Sequence, residues 1–193
     1  MSEKESLLKA FKMPKQVNIA ARSSSITNSF VNGIIPYIFP TELEVKKALE
    51  ILALNAEDLR CAYCGDKSTE WDHLRPIVKN KKPTGYISDI YNLVPACGKC
   101  NQSKGNKLWY EWIVSDAVLS PKTRMVEDLA ERIERLAKYE KWGNVVPIDF
   151  ESIVESETWE EHWKNCERLH EDMRKAQELA LVIRQKIKDN LKY

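Results

Sequence analysis

The sequence predicts an α+β protein that is mostly helical and is organised around a small unit of two strands and a helix, stapled by zinc. Two Cys-x-x-Cys pairs, Cys61/Cys64 and Cys97/Cys100, bracket a segment that contains two strand-like runs. An apolar run with helical spacing follows the second pair. The flanking segments predict an N-terminal helix on one side and long helices on the other.

We divide the 193 residues into three regions. Residues 1–57 are predicted to form an N-terminal arm and helix, residues 58–115 the cysteine-bracketed finger, and residues 116–193 a helical C-terminal region. No apolar run reaches membrane-spanning length, and the first residues lack the charged-then-apolar order of a signal peptide. We therefore expect a cytoplasmic protein that does not contact a membrane.

The N-terminal region begins with a short helix candidate that carries Leu7, Leu8 and Phe11. Residues 26–40 are apolar but are interrupted by glycine and proline, which predicts irregular structure or short strands. Thr41 and Glu44 form a capping box, the signature of a helix start, and the apolar spacing that follows predicts a helix to about Asn55. This helix is expected to pack beneath the first cysteine pair.

The two cysteine pairs have the spacing of a zinc site with four sulfur ligands, because each pair places two thiolates on one tight turn. A redox pair or chance spacing is the alternative, and two matched pairs in one segment disfavour it. Four sulfurs close the coordination sphere of the ion. Zinc is therefore expected to stabilise the finger, and any chemistry must occur at other residues.

Between the cysteine pairs, residues 70–78 are predicted to be a strand and residues 90–95 the returning strand, with a basic, turn-rich loop at residues 79–85. The run from Cys97 to Ile113 is predicted to be a helix. Strand, loop, strand and helix follow one another with a cysteine pair at each end.

The formal net charge of +1 is low for a protein that binds nucleic acid. Between Trp71 and Tyr110, however, seven basic and two acidic side chains give a local net charge of +5. Attraction for phosphate is therefore expected to be local; an ordinary solvated surface is the alternative for the loop lysines. The side chains predicted to contact DNA phosphate are Arg75, Lys81, Lys82, Lys104 and Lys107.

The cysteine pairs, Asp72-His73, the Asn92-Leu93-Val94-Pro95 run and the Asn101-x-x-Lys104-Gly105 run together resemble the HNH endonuclease family, whose core is the ββα-metal finger. The resemblance covers about the middle quarter of the chain directly. More loosely, the whole chain resembles HNH proteins of the restriction-endonuclease type, in which helices flank such a finger.

The resemblance implies a role for each matching position. His73 matches the general base, which takes a proton from water near pH 7. Asn92 matches the residue that orients this imidazole, and a strand-end turn residue is its alternative. Asp72 and Asn101 match the ligands of one catalytic divalent ion. A structural histidine is the alternative for His73, and a helix N-cap is the alternative for Asn101.

Asn101 departs from the family pattern, because it stands where the family name has a second histidine. A carboxylate and an amide oxygen are harder ligands than two imidazoles. The sequence therefore predicts Mg²⁺ or Mn²⁺ at the catalytic site, separate from the structural Zn²⁺.

In the C-terminal region, Ser120-Pro121 is predicted to start a helix, and residues 155–193 are predicted to form one long helix. The long helix carries an apolar stripe with alternating steps of three and four residues. Packing on the preceding helices and a homodimer interface are the two explanations for this stripe. Its members are Cys166, Leu169, Met173, Ala176, Ala180, Ile183 and Ile187.

The sequence and the resemblance together predict a metal-dependent HNH endonuclease that hydrolyses phosphodiester bonds in double-stranded DNA, of the type II restriction kind. A homodimer would supply one nuclease centre to each strand of a two-fold DNA site. The first alternative is a non-catalytic zinc finger that binds nucleic acid or protein. The second is a nuclease subunit of a phage-defence, homing or repair system.

Overall fold

The computed structural model describes residues 13–191. The described chain divides into two compact units, one made of residues 27–163 and the other of residues 13–26 with 164–191. The short helix candidate that carries Leu7, Leu8 and Phe11 lies outside the described residues. The expected boundaries at 57/58 and 115/116 stay predictions about sequence organisation, since the first unit includes residues from all three expected regions.

The elements follow in chain order. A 3-10 turn at Ile19–Arg22 precedes α1 (Ser23–Ile34) and α2 (Glu42–Leu52). The finger contains β1 (Glu70–His73), β2 (Val78–Lys79), β3 (Lys82–Pro83), β4 (Leu93–Ala96) and α3 (Gly98–Lys104). It is followed by α4 (Trp109–Ile113), α5 (Leu129–Trp142), α6 (Phe150–Ile153) and α7 (Ser156–Asn190).

The finger is a ββα unit. β1 and β4 pair antiparallel, with Asp72 opposite Val94 and His73 opposite Leu93, and α3 packs on β1. The predicted α+β class is therefore confirmed, with small antiparallel sheets in a mostly helical chain. The first predicted strand is shorter than expected: β1 ends at His73, and residues 78–83 form a separate hairpin. Asn80 and Lys81, at its tip, both have positive φ (52° and 64°), as a tight two-residue hairpin turn requires.

The predicted helix from Cys97 to Ile113 is two helices. Gly105 ends α3 with φ 53° and ψ −126°, a conformation that glycine adopts most readily, and α4 starts four residues later at Trp109. Asn101 lies inside α3, whose N-cap is Cys97, so the N-cap alternative for Asn101 is wrong.

Two further expectations about flanking elements are wrong. Residues 26–40 were expected to be irregular or to form short strands, but residues 26–34 belong to α1, because Gly33 lies in its last turn and Pro36 follows its end. The rest of the segment is irregular, with one β-bridge at Tyr37. Val31 and Ile35 are buried against Ile77, and this apolar packing stabilises the helix. Ser120-Pro121 starts a run of turns, and the next helix begins only at Leu129.

The capping box of α2 is confirmed: the Thr41 Oγ1 atom accepts from the Glu44 N–H at 3.3 Å, and the Thr41 N–H donates to the Glu44 carboxylate at 2.7 Å. α2 packs against α5, and both contribute to the main core of the 27–163 unit. Ala48 and Leu52 of α2 belong to the same buried core as Cys61. Trp109 and Trp112 are core residues, 3% and 1% exposed.

In the other unit, the segment before α1 is bonded to α7. The Ile19 N–H donates to the Gln177 side chain at 2.7 Å, and Arg184 donates to the Gln16 side chain and the Val17 carbonyl. The predicted long helix is confirmed as α7. Of its apolar stripe only Cys166 is buried, whereas Leu169, Ile183 and Ile187 are 41%, 50% and 57% exposed. No helix within residues 13–191 is both long and apolar enough to cross a membrane.

Candidate active site and metal centre

The four cysteines of the two pairs meet at one point. Their sulfur atoms all lie within 4.8 Å of one another, and Cys64 Sγ and Cys97 Sγ are 3.6 Å apart. Bonds of about 2.3 Å from a tetrahedral zinc ion place its sulfur ligands about 3.8 Å apart. The cluster therefore has the geometry to hold a metal such as zinc. Among the described residues it is the one group of three or more Cys, His, Asp or Glu side chains close enough to share an ion.

The chemistry of the cluster also fits a cation. Hydrogen bonding with Cys61 and Cys64 raises the pKa of the Cys100 thiol, because neighbouring thiolates disfavour a further negative charge. Metal binding would require these thiols to lose their protons, and a divalent cation among them would offset the repulsion between the resulting thiolates. Cys61 and Cys100 are fully buried and Cys97 nearly so, which leaves Cys64 as the half-buried member.

Two arginines from the segment after α4 flank the cluster. Arg124 donates to Cys100 Sγ at 3.5 Å and to the Asp66 carboxylate at 2.6 Å. Arg132 donates to the Cys61 carbonyl at 3.2 Å. These contacts join residues 120–135 to the cysteine cluster. No motif in the sequence indicated this role for either arginine.

Asp72 and Lys104 form a buried ion pair between β1 and α3. Lys104 Nζ lies 3.0 Å from Asp72 Oδ2, and the Tyr63 hydroxyl donates to the same oxygen at 2.6 Å. Lys104 also donates to the His73 carbonyl at 2.7 Å. Burial raises the pKa of Asp72 and lowers that of Lys104, and the pair at this distance offsets part of both desolvation costs.

The expectation that Lys104 contacts phosphate is corrected by this burial, since its side chain is 0% exposed. The same expectation for Arg75 is wrong for the same reason: this side chain is 9% exposed and donates to the carbonyls of Glu140 and Tyr91. Both cations point into the protein because buried oxygens pair with them. Lys107 is exposed but donates to the Ser103 carbonyl at 2.8 Å. Lys81 and Lys82 are exposed on the β2–β3 hairpin.

His73, the last residue of β1, contacts a residue that the sequence did not single out. Its Nε2 atom lies 2.8 Å from the Ser88 Oγ atom. Burial and the nearby charge of Lys104 lower the pKa of His73 to about 4. The imidazole is therefore neutral near pH 7, as a general base must be. No motif in the sequence indicated Ser88.

Asn92 was expected to orient the His73 ring directly, but no hydrogen bond joins the two side chains in the described part of the chain. Asn92 is fully buried and binds backbone groups instead. Its Oδ1 accepts from the Arg75 N–H at 2.8 Å, and its Nδ2 donates to the carbonyls of Arg75 and Ile87 at 3.1 and 3.2 Å. Asn92 thus holds the backbone at Ile87, the residue before Ser88. Its link to the His73 ring is therefore indirect and runs through Ser88.

Asn101 contacts a carboxylate other than the expected one. Its Nδ2 donates to Glu70 Oε2 at 2.6 Å, whereas Asp72 is bonded to Tyr63 and Lys104. Glu70 and Asp72 are two residues apart in β1, so their side chains point to the same face of the strand. Both contact residues of α3, so this face is the α3 side. The alternation rule could have identified Glu70, because it stands two residues before Asp72.

The oxygen donors on the α3 side of β1 suit a hard divalent ion by their chemistry, since they are carboxylates with one amide. Rotation of the Asn101 amide by half a turn would present its oxygen beside Glu70, as a shared cation would require. Asp72 would have to exchange its contact with Lys104 for such an ion. In the structure, however, Asp72 is paired with Lys104, and Glu70 accepts from the Asn101 amide.

Two comparisons with known proteins found matches. A family model described as HNH endonuclease matches residues 61–107, from the first cysteine of the cluster to Lys107. A stretch of 70 residues, 34% of this chain, is 33% identical to the CRISPR-associated endonuclease Cas9 of Corynebacterium diphtheriae. The matched stretch covers 6% of the length of that relative. No solved structure matches the chain.

Proposed function

Residues 61–107 form an HNH endonuclease domain, and from this premise we propose that the chain is a metal-dependent endonuclease that hydrolyses phosphodiester bonds in DNA. The observation that carries the proposal is the neutral imidazole of His73, held by Ser88 at the end of the strand that also bears Glu70 and Asp72. A half-buried neutral histidine at the end of a strand whose other face bears hard oxygen donors supports hydrolysis by activated water.

In the proposed reaction, Ser88 Oγ accepts from the Nε2–H of His73, which leaves the Nδ1 lone pair as the base. Nδ1 takes a proton from water as the water oxygen attacks the phosphorus. The bond from phosphorus to the 3′-oxygen breaks, and the leaving oxygen takes a proton from solvent. A divalent ion held by Glu70, Asp72 and Asn101 would stabilise the negative charge on the phosphate oxygens and on the leaving oxygen.

We assign Zn²⁺ to Cys61, Cys64, Cys97 and Cys100, and Mg²⁺ or Mn²⁺ to the donors of β1 and α3. The two sites differ in ligand chemistry, because soft thiolates select zinc and hard oxygens select magnesium or manganese. Loss of the divalent ion should therefore stop cleavage and leave the zinc in place.

The test is nicking of supercoiled plasmid DNA with Mg²⁺ or Mn²⁺, with and without EDTA. His73→Ala should lower the cleavage rate by about 10²- to 10⁴-fold, the usual contribution of a general base, while retaining zinc and the fold. His170→Ala, which removes a histidine of the other unit, is the matched control and should cleave normally. Normal cleavage by His73→Ala would refute the general-base assignment, and a wild-type protein that binds DNA without cutting it would favour the non-catalytic zinc-finger function.

We also propose that the enzyme is restriction-like and acts on both strands of duplex DNA as a homodimer through α7. The exposed apolar side chains of α7 at heptad-like spacing support pairing with a second copy. Light scattering should then give a dimer mass that falls to the monomer mass when Ile183 and Ile187 are changed to Glu. The similarity to a CRISPR-associated endonuclease supports the alternative of a defence-system subunit, which would remain monomeric when isolated.

A further inference from the structure

Trp71 is exposed where a tryptophan is usually buried. It lies within β1 and is 58% exposed, whereas Trp109 and Trp112 are 3% and 1% exposed and the remaining three tryptophans are half-buried. All six tryptophans fall within residues 13–191. In that part of the chain the Trp71 indole has neither a ring contact nor a hydrogen bond. The side chain therefore contributes little to the stability of the fold.

The alternation of β1 places Trp71 on the same side of the strand as His73. Glu70 and Asp72 contact Asn101 and Lys104 of α3, so the intervening side chains lie on the opposite side. Residues two apart in a strand are separated by about 6.5 to 7 Å. Pro95, directly opposite Trp71 in the sheet, is buried, so the backbone beneath the indole is held in a packed part of the finger.

The Trp71 indole is a flat apolar surface two residues along the strand from the proposed general base, His73. At this distance it could contact the nucleotide next to the reacting phosphate. Aromatic side chains that stack on bases contribute about 1–3 kcal/mol for each base, and they accept any base because every base has a π-face. Stacking requires an accessible base face. In a duplex both faces are covered by neighbouring bases, so an unpaired or flipped base is needed.

We propose that Trp71 is a binding site for an unpaired nucleobase adjacent to the DNA phosphate that His73 attacks. This inference rests on the proposed nuclease function, but not on its restriction-like form, and specifies its substrate: a DNA strand that is single-stranded or locally opened at the point of cleavage, so that a duplex must open there before it is cut. Trp71 does not take part in the proton transfer. It positions the strand by stacking, and the exposed Lys81 and Lys82 supply charge without base preference.

The experiment measures binding of a short single-stranded deoxythymidine oligonucleotide, and of its duplex with deoxyadenosine, to the full chain carrying His73→Ala to prevent cleavage. Adding Trp71→Ala should weaken single-strand binding roughly 5- to 150-fold, the equivalent of one lost stacking contact. Trp71→Phe should retain most of the affinity, because phenylalanine still stacks. Tyr110→Ala, which removes another exposed aromatic ring, is the control and should bind like its parent.

A second measurement does not depend on the alanine variant folding. Since Trp71 is the most exposed tryptophan, acrylamide should quench its fluorescence preferentially, and the single-stranded oligonucleotide should protect it while the fully paired duplex should not. Equal affinity of Trp71→Ala and its parent, or unchanged quenching with bound single strand, would overturn the proposal. The plasmid assay separates this outcome from failure of the nuclease function, because cleavage that needs His73 would persist.

Discussion

The Nε2 atom of His73 lies 2.8 Å from the Oγ atom of Ser88, a residue that is 2% exposed. Backbone pairing on both sides holds the serine in place. Its N–H donates to the Pro36 carbonyl at 3.3 Å, and its carbonyl accepts from the Ile38 N–H at 3.0 Å. The imidazole is therefore oriented by a segment that precedes α2 as well as by the finger itself.

Ser88→Ala should lower kcat roughly 2- to 12-fold and leave KM for DNA unchanged. The reason is that one neutral hydrogen bond, worth about 0.5–1.5 kcal/mol, no longer holds the ring, while no DNA contact is lost. Ser88→Thr keeps the hydroxyl and should restore most of the rate. Steady-state kinetics on a defined DNA substrate measures both constants. An alanine variant with wild-type kcat would show that the serine does not position the base.

The contact between His73 and Ser88 also marks the limit of what the sequence could predict. The cysteine pairs and the capping box are local patterns in which a few adjacent residues determine the geometry, and the structure has both the capping box and the clustering of the four cysteines. No local sequence pattern identifies Ser88, because its position is set by backbone pairing with residues 36–38, which are distant in the sequence. Asn92 was assigned the role of orienting His73 from resemblance alone, and its contacts are with backbone instead.

Charge patterns misled the prediction in a similar way. Arg75 and Lys104 were counted with the exposed lysines because they lie in the same basic segment. A sequence does not show whether a basic side chain faces solvent or pairs with a carboxylate of the protein. Here Lys104 pairs with Asp72, and Arg75 pairs with Glu140. The predicted helix from Cys97 to Ile113 rested on apolar spacing alone, and that spacing does not show the break at Gly105.

Lys104→Met should destabilise the protein by about 3–5 kcal/mol, because it leaves the buried Asp72 carboxylate without its cation. Adding Asp72→Asn should recover part of that loss, since the uncompensated charge is then removed as well. Urea denaturation of the single and double variants measures both effects. Lys107→Met, three residues along and exposed, is the control and should change stability by less than about 0.5 kcal/mol. Equal losses for Lys104→Met and Lys107→Met would mean that the ion pair contributes nothing to the fold.

Cys100→Ser should abolish stoichiometric zinc binding and unfold the finger, because a structural zinc site contributes of order 10 kcal/mol to small modules. Cys166→Ser is the matched control: this cysteine is also buried, at 6% exposed, but lies on α7 away from the cluster in sequence. Metal analysis of the purified proteins and their circular dichroism give the two readouts. Retention of zinc by Cys100→Ser with an intact fold would contradict the assignment of four sulfur ligands.

Arg124→Met should speed the release of zinc to a competing chelator. Four thiolates and one Zn²⁺ leave a net charge of −2, and Arg124 places a guanidinium 3.5 Å from Cys100 Sγ while it also binds Asp66. Arg124→Lys should be intermediate, because a single ammonium cannot bind the sulfur and the carboxylate with the same fork of donors. Arg135→Met is the control, since Arg135 pairs with Glu131 on α5 and touches no cysteine. The rate is followed with a chromogenic chelator. Equal rates for Arg124→Met and Arg135→Met would show that the charge near Cys100 does not retain the metal, and the arginine would then serve only to join the segment after α4 to Asp66.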